Sequence, residues 1–285
     1  MASFDQLKAI IQLFRLDLSL AAGICVIVGE IVALGHIPQV YEAILGFGVG
    51  FFISTSVLIL NDYFDLETDK INAPNRPLPS GLIQTHTVIL LSTVTVIIGL
   101  IFAGLISGIA FSVAMILWII GFSYNWKLKR TGFLGNLLVS SSVAMTFIFG
   151  GLVIGNPWNI AVWIFSAIAF LIDLGEEIAA DAMDMEGDKL INSQSIAIKT
   201  GRDNALKFSA ILFAMVVVIS LIPLIGGWLG FSYLLMISIM DVIIIISTVK
   251  FLKTSNSDEK RKFLRIIYLG ATLGLIGFIL GQIFV

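Results

Sequence analysis

"GVGFFISTSVLILNDYFDLETDKINAPNRPLPSG", residues 48–81, changes character at Asn61. A stretch without a single charge gives way to Asp62, Asp65, Glu67 and Asp69. The uncharged part belongs to one of several apolar runs long enough to cross a bilayer, which takes about 20 residues. The whole chain of 285 residues is 58% hydrophobic and 13% charged, with mean hydropathy +1.02. A soluble domain carries roughly 25% charged residues. The composition therefore excludes an ordinary soluble domain and predicts an all-α polytopic membrane protein. Nine transmembrane helices are expected, at about 18–34, 42–60, 86–106, 109–124, 135–154, 158–178, 205–226, 229–249 and 264–284. The 26 glycines suit close helix packing in lipid. "GFGVG" at 46–50 lies inside a span with no strand before it and reads as packing, not as a nucleotide loop.

Basic residues set the expected orientation. All 17 Lys and Arg fall before span 1 or in the loops after spans 2, 4, 6 and 8 and the span ends beside them. The opposite loops, near 35–41, 107–108, 155–157 and 227–230, have none. The positive-inside rule then predicts a cytoplasmic N-terminus and an external C-terminus. Residues 1–18 read as an amphipathic helix at the inner surface, with no cleaved signal. A net charge of −2 gives no reason to expect nucleic acid, and nothing marks an obligate protein partner. Cys25 stands alone, which excludes an intrachain disulfide and a cysteine metal cluster. His36 and His86 are isolated at span ends, and Glu30 and Asp241 are solitary acids within spans, Glu30 near the outer interface.

Two acidic sets carry the chemistry. Asn61, Asp65 and Asp69 are spaced four and four, one helix face at the cytoplasmic end of span 2. "DLGEEIAADAMDMEGD", 173–188, places Asp173, Glu177, Asp181, Asp184 and Asp188 on one face at the end of span 6. Asp65 to Asp184 and Asp69 to Asp188 are each 119 residues apart. That offset suggests a single domain over 1–285 built of two four-helix halves, about 18–130 and 135–250, with a ninth helix at 264–284. Like charges on one helix face repel, and their ionised forms are costly near a membrane. A solvated cytoplasmic cap is the bland explanation of one such cluster; two clusters of matching place and spacing point to a site. Mg²⁺, which suits a few carboxylates plus substrate phosphates, relieves the repulsion. Arg76, Lys189, Lys129 and Arg130 lie on the same side and can grip phosphate oxygens.

These motifs, "NDYFDLETD", "INAPNRPLPSG" and "DMEGD", resemble the UbiA superfamily of intramembrane prenyltransferases along essentially the whole chain. The resemblance implies nine helices around a central cavity open to lipid. It implies that Asn61, Asp65, Asp69, Asp184 and Asp188 hold Mg²⁺ and a polyprenyl diphosphate donor. Asp65, Asp69, Asp184 and Asp188 are the expected catalytic set. Arg76, Lys189, Lys129, Arg130, Arg15, Asn72, Glu177, Asp181 and Tyr124 are expected to bind diphosphate or substrate. A reactive allylic cation needs a dry pocket, and Phe51, Phe52, Tyr63, Phe122, Tyr124, Phe147 and Phe149 are candidates for its aromatic wall.

"DKINAPNRPLPSG", "FLGNLLV", "FIFGG" and "MEGDK" are most like the archaeal branch that makes digeranylgeranylglyceryl phosphate from geranylgeranylglyceryl phosphate. That branch often carries Arg-Glu before the second motif, where this chain has Glu176 and Glu177, and a Lys where it has Ala180. A phosphorylated acceptor must then draw on Lys127, Lys129, Arg130 and Arg15. A phenol or quinone precursor is the alternative acceptor. A membrane cation transporter is the rival class; it predicts acids at the bilayer midplane, not at helix ends. A CDP-alcohol phosphotransferase would need the DG…AR…G signature ahead of DxxxD, which is missing.

Overall fold

The structure is a computed structural model that describes residues 2–185, 194–226 and 231–283. Among these residues every regular element is helical. In chain order they are α1 (Ala2–Leu13), α2 (Leu16–Leu34), α3 (Val40–Phe64), α4 (Leu66–Asn72), α5 (Thr85–Ile106) and α6 (Gly108–Trp126). A 3-10 turn, Leu128–Thr131, leads to α7 (Phe133–Val153) and α8 (Ile160–Met183). Then come α9 (Ile196–Thr200), α10 (Arg202–Ser220), α11 (Ile222–Ile225), α12 (Phe231–Lys253) and α13 (Ser257–Ile283). Local chemistry fixes several boundaries. Gly35, at φ 74°, ends α2 in a left-handed cap, and a capping box between Gln39 and Glu42 starts α3. The Ser107 and Asn159 side chains accept bonds from the first backbone N–H groups of α6 and α8.

Seven helical segments are long and apolar enough to cross a membrane: α2, α3, α5, α6, α7, α10 continued by α11, and α12. Two further helices approach or exceed their length, α8 with 24 residues and α13 with 27. Asp173, Glu176, Glu177 and Asp181 interrupt the apolar character of α8, and α13 opens with the charged run "SDEKRKFLR".

Helix α2 packs between α3 and α7, α3 on α5, α7 on α8, α8 on α10, and α12 on α13. The α2–α7 contact is backbone to backbone. A Cβ on Gly29 would stand 2.2 Å from the Phe147 carbonyl oxygen, and one on Gly150 2.2 Å from that of Val26. Buried hydrogen bonds stitch the remaining helices, since lipid supplies no competing partner. Trp118 Nε1 donates to Ser56 Oγ at 2.9 Å, and Ser56 in turn meets Ser92, so α3, α5 and α6 share one polar knot. Ser209 Oγ donates to the Gly175 carbonyl at 2.6 Å. The solitary Asp241 of α12 accepts from Ser220 Oγ of α10 at 2.8 Å. Glu30 does not reach an interface: it is fully buried, against Gly46, whose missing side chain makes room for Oε1.

Helix α1 is docked on the protein. Ala9 and Leu13 are buried against Ile59, Leu78, Ile83 and Val88, while Leu7 and Ile11 stay exposed. The chain turns from α1 into α2 at Arg15, whose φ of 41° is left-handed and unusual for a residue with a Cβ. Phe147 and Phe149 are each 2% exposed and serve helix packing, not a cavity wall. Phe51 and Phe52 form an edge-on pair extending to Phe102, and Phe64, Phe122 and Trp118 form a second aromatic row toward the motif end of α3.

Gly150→Ala is expected to lower stability by about 1–3 kcal/mol, the cost of overpacking a tight contact. Thermal unfolding in detergent micelles measures it.

Candidate active site

The first acidic motif lies where α3 meets α4. The notion of one continuous helix face needs a correction, because the chain is pinched at Asp65, which closes α3 and opens α4 at φ −92°, ψ 1°. The spacing survives because Asp65 N–H still bonds the Asn61 carbonyl at 2.9 Å and Asp69 N–H the Asp65 carbonyl at 2.7 Å.

Asp62, Asp65 and Asp69 each meet a cation from another element. Lys129, in the 3-10 turn, is paired with Asp65. Arg76, in the loop after α4, holds Asp69 at 2.6 Å and reaches Asp62 at 3.7 Å. Arg15, between α1 and α2, holds Asp62 at 2.5 Å and donates to Asn61 Oδ1 at 3.2 Å. A recess of about 280 Å³ opens beside Arg15, Asp62, Asn75 and Arg76. Burial, together with the adjacent Arg130 charge, lowers the Lys129 ammonium to about 8.

Asp62 was not separated by sequence spacing from its neighbours, yet it is the more buried acid, 4% exposed. Asn125, at the end of α6, was missed as well. Its Oδ1 accepts from Asn61 Nδ2 at 3.0 Å and its Nδ2 donates to the Val57 carbonyl at 2.9 Å. Asn61 is thus held from two sides, by Arg15 and by Asn125.

The second motif lies at the end of α8. Asp181 accepts from Asn136 Nδ2 of α7 at 2.8 Å. Asp184 caps α8 and pairs with Arg261 of α13 at 2.5 Å. Arg202 Nε donates to the Ala182 carbonyl at 2.9 Å and ties the same turn to α10. Glu177 is half-buried, and the Tyr124 hydroxyl of α6 lies within electrostatic reach of Glu177, Asp181 and Asp173. Asp173, one turn deeper than Glu177, accepts from Ser140 Oγ and Tyr268 Oη, both at 2.9 Å. Arg261, Asn136 and Tyr268 carried no sequence signal, because their partners are 77, 45 and 95 residues away.

Of the expected residues, Arg15, Asn61, Asp65, Asp69, Arg76 and Lys129 come together at the first motif. Glu177 and Asp181 stand on successive turns at the end of α8, with Tyr124 near the end of α6. Arg130 is exposed and makes no ion pair among the described residues. Asn72 ends α4, and its side chain lies outside those described. Asp188 and Lys189 lie outside the described residues. Among those described, no three His, Cys, Asp or Glu side chains converge on one point.

Residues 22–281 match the UbiA prenyltransferase family, and the chain belongs to that family. It is a membrane prenyltransferase. The digeranylgeranylglyceryl phosphate synthase of Thermococcus kodakarensis is 31% identical over 98% of this chain and 99% of its own. A solved structure of a digeranylgeranylglyceryl phosphate synthase superposes with a TM-score of 0.83 at 31% identity, covering 98% and 99% of the two chains. A UbiA homologue from Archaeoglobus fulgidus, bound to DMAPP and Mg²⁺, shares the fold with a TM-score of 0.65 at 18% identity, over 94% and 98%.

Asn125→Ala is expected to cost about 1–3 kcal/mol by stranding the Asn61 amide and the Val57 carbonyl. Unfolding temperature reads that loss. A fall in kcat larger than the stability change explains would report the freed Asn61.

Proposed function

We propose that this protein transfers a geranylgeranyl group from geranylgeranyl diphosphate to geranylgeranylglyceryl phosphate, with Mg²⁺, making the product for which its relatives are named. The observation that carries the reading is the set of acids Asp62, Asp65, Asp69 and Asp184, each met by a cation from a distant element. Such pairs can exchange partners when a metal and a polyanion arrive together.

The donor set fits Mg²⁺. It is all oxygen, and among the described residues the carboxylates do not close a cage of their own, which leaves room for water and diphosphate oxygens. Asp65, Asp69 and Asp184, with Asp188, would hold the ion, and Asn61 would orient it or the diphosphate. When bound, Mg²⁺ offsets the charge that develops on the leaving diphosphate. Arg76 and Lys129, released from Asp69 and Asp65, grip its oxygens. The aromatic rows around Phe52 and Phe122 keep water from the prenyl C1. There the bond to diphosphate is exchanged for an ether bond to the acceptor oxygen. The acceptor's hydroxyl proton leaves, and Glu177, beside Tyr124, is the carboxylate placed to receive it. Arg130 and Lys127, both exposed, are the cations free to meet the acceptor phosphate.

We read α8 and α13 as two further spans, nine in all, with the site at the cytoplasmic face of the cell membrane. The chain acts as one domain whose halves repeat the acidic corner. A reporter fused after Val285 is expected on the external side; a cytoplasmic signal would contradict the nine-span count.

Purified protein, Mg²⁺ and geranylgeranyl diphosphate should prenylate geranylgeranylglyceryl phosphate. The reaction should stop in chelator and fall at least about 10²-fold in Asp65→Asn, since electrostatics dominate such chemistry. Product from a phenolic acceptor alone would overturn the acceptor but leave prenyl transfer standing.

A further inference from the structure

Arg261 belongs to neither acidic motif, yet its Nη2 contacts Asp184 Oδ1 across 77 residues of chain. Both side chains are substantially exposed, 41% and 55%. Exposed ion pairs add little to folding, so stability does not account for this one. What surrounds Arg261 is firmly built. Lys260 is buried, donates to the Phe251 carbonyl at 3.0 Å and lies 5.3 Å over the Phe251 ring. Lys250 lies 5.9 Å over Phe263 on the other strand of the same helical hairpin. Asn256 Oδ1 caps the first turn of α13 by accepting from Asp258 N–H at 2.8 Å. The α12–α13 hairpin is therefore a fixed platform that aims one guanidinium at the turn closing α8.

Lys129 on Asp65 and Arg76 on Asp69 make the same arrangement at the first motif. A cation that rests on a carboxylate is left without a partner when that carboxylate turns to a metal, and a planar guanidinium is shaped to take two phosphate oxygens. We propose that Arg261 is a ligand of the donor diphosphate, supplied by the final hairpin to the second motif. This rests on the Mg²⁺-dependent prenyl transfer described above and adds a residue outside its motifs.

The test uses full-length protein in detergent or nanodiscs. Arg261→Ala should raise the donor KM about tenfold, the weight of one charge-assisted hydrogen bond, and leave the acceptor KM unchanged. Arg261→Lys should recover part of the loss. Lys262→Ala, on the same turn and exposed, should behave as wild type. A second readout needs no turnover: Mg²⁺ with inorganic pyrophosphate raises the unfolding temperature of a protein that binds it. That rise should shrink in Arg261→Ala and not in Lys262→Ala. Equal donor KM and equal pyrophosphate stabilisation in Arg261→Ala and wild type would overturn the assignment. So would a KM rise shared equally by donor and acceptor, or a lowered unfolding temperature without pyrophosphate that Arg261→Lys fully restores while its donor KM stays at the wild-type value. Absence of Mg²⁺-dependent transfer in the wild type is a different failure, that of the parent reading.

Discussion

Carboxylates that share a helix face at the edge of a membrane cannot be left to themselves. Neighbours one turn apart are about 5–6 Å from each other, and at an effective dielectric of about 20 they repel by roughly 3 kcal/mol. The architecture answers part of that repulsion by bringing a cation from elsewhere to Asp62, Asp65, Asp69 and Asp184. Arg15 comes from the α1–α2 turn, Arg76 from the loop after α4, Lys129 from the turn after α6 and Arg261 from α13. Three loops and one helix are thereby pinned to the ends of α3, α4 and α8. The arrangement also explains why Arg15 tolerates a left-handed backbone: Asp62 and Asn61 hold its guanidinium from the other side of the turn.

The four-residue spacing of Asn61, Asp65 and Asp69 was readable because a helix repeats nearly every four residues, and the chain keeps that hydrogen bonding even through its pinch at Asp65. The apolar runs were readable for the same kind of reason, since bilayer thickness dictates their length. The apolar run placed α8 among the expected spans, although four acids crowd its second half. What escaped was everything set by tertiary distance. Asp62 sits one residue from the motif's register and looked like a bystander; Asn125, Asn136 and Arg261 are ordinary residues at helix ends until another helix arrives. Glu30 was expected near water and lies instead against Gly46, because a glycine on the facing helix removes the bulk that would have pushed it out. Phe147 and Phe149 were placed on a cavity wall by residue type alone, and packing with α2, α3 and α8 claimed them.

Asp173 has a consequence for how the chain is made. It lies near the middle of α8, where an unpaired carboxylate costs about 2.5–3.5 kcal/mol to insert into a bilayer. Ser140 of α7 is synthesised before it, but Tyr268 belongs to the last helix of the chain. Helix α8 can therefore satisfy half of this carboxylate from α7 alone, as a helical hairpin. The other half waits for α13, 95 residues further along. A chain lacking α13 would leave that carboxylate with one of its two hydroxyl partners.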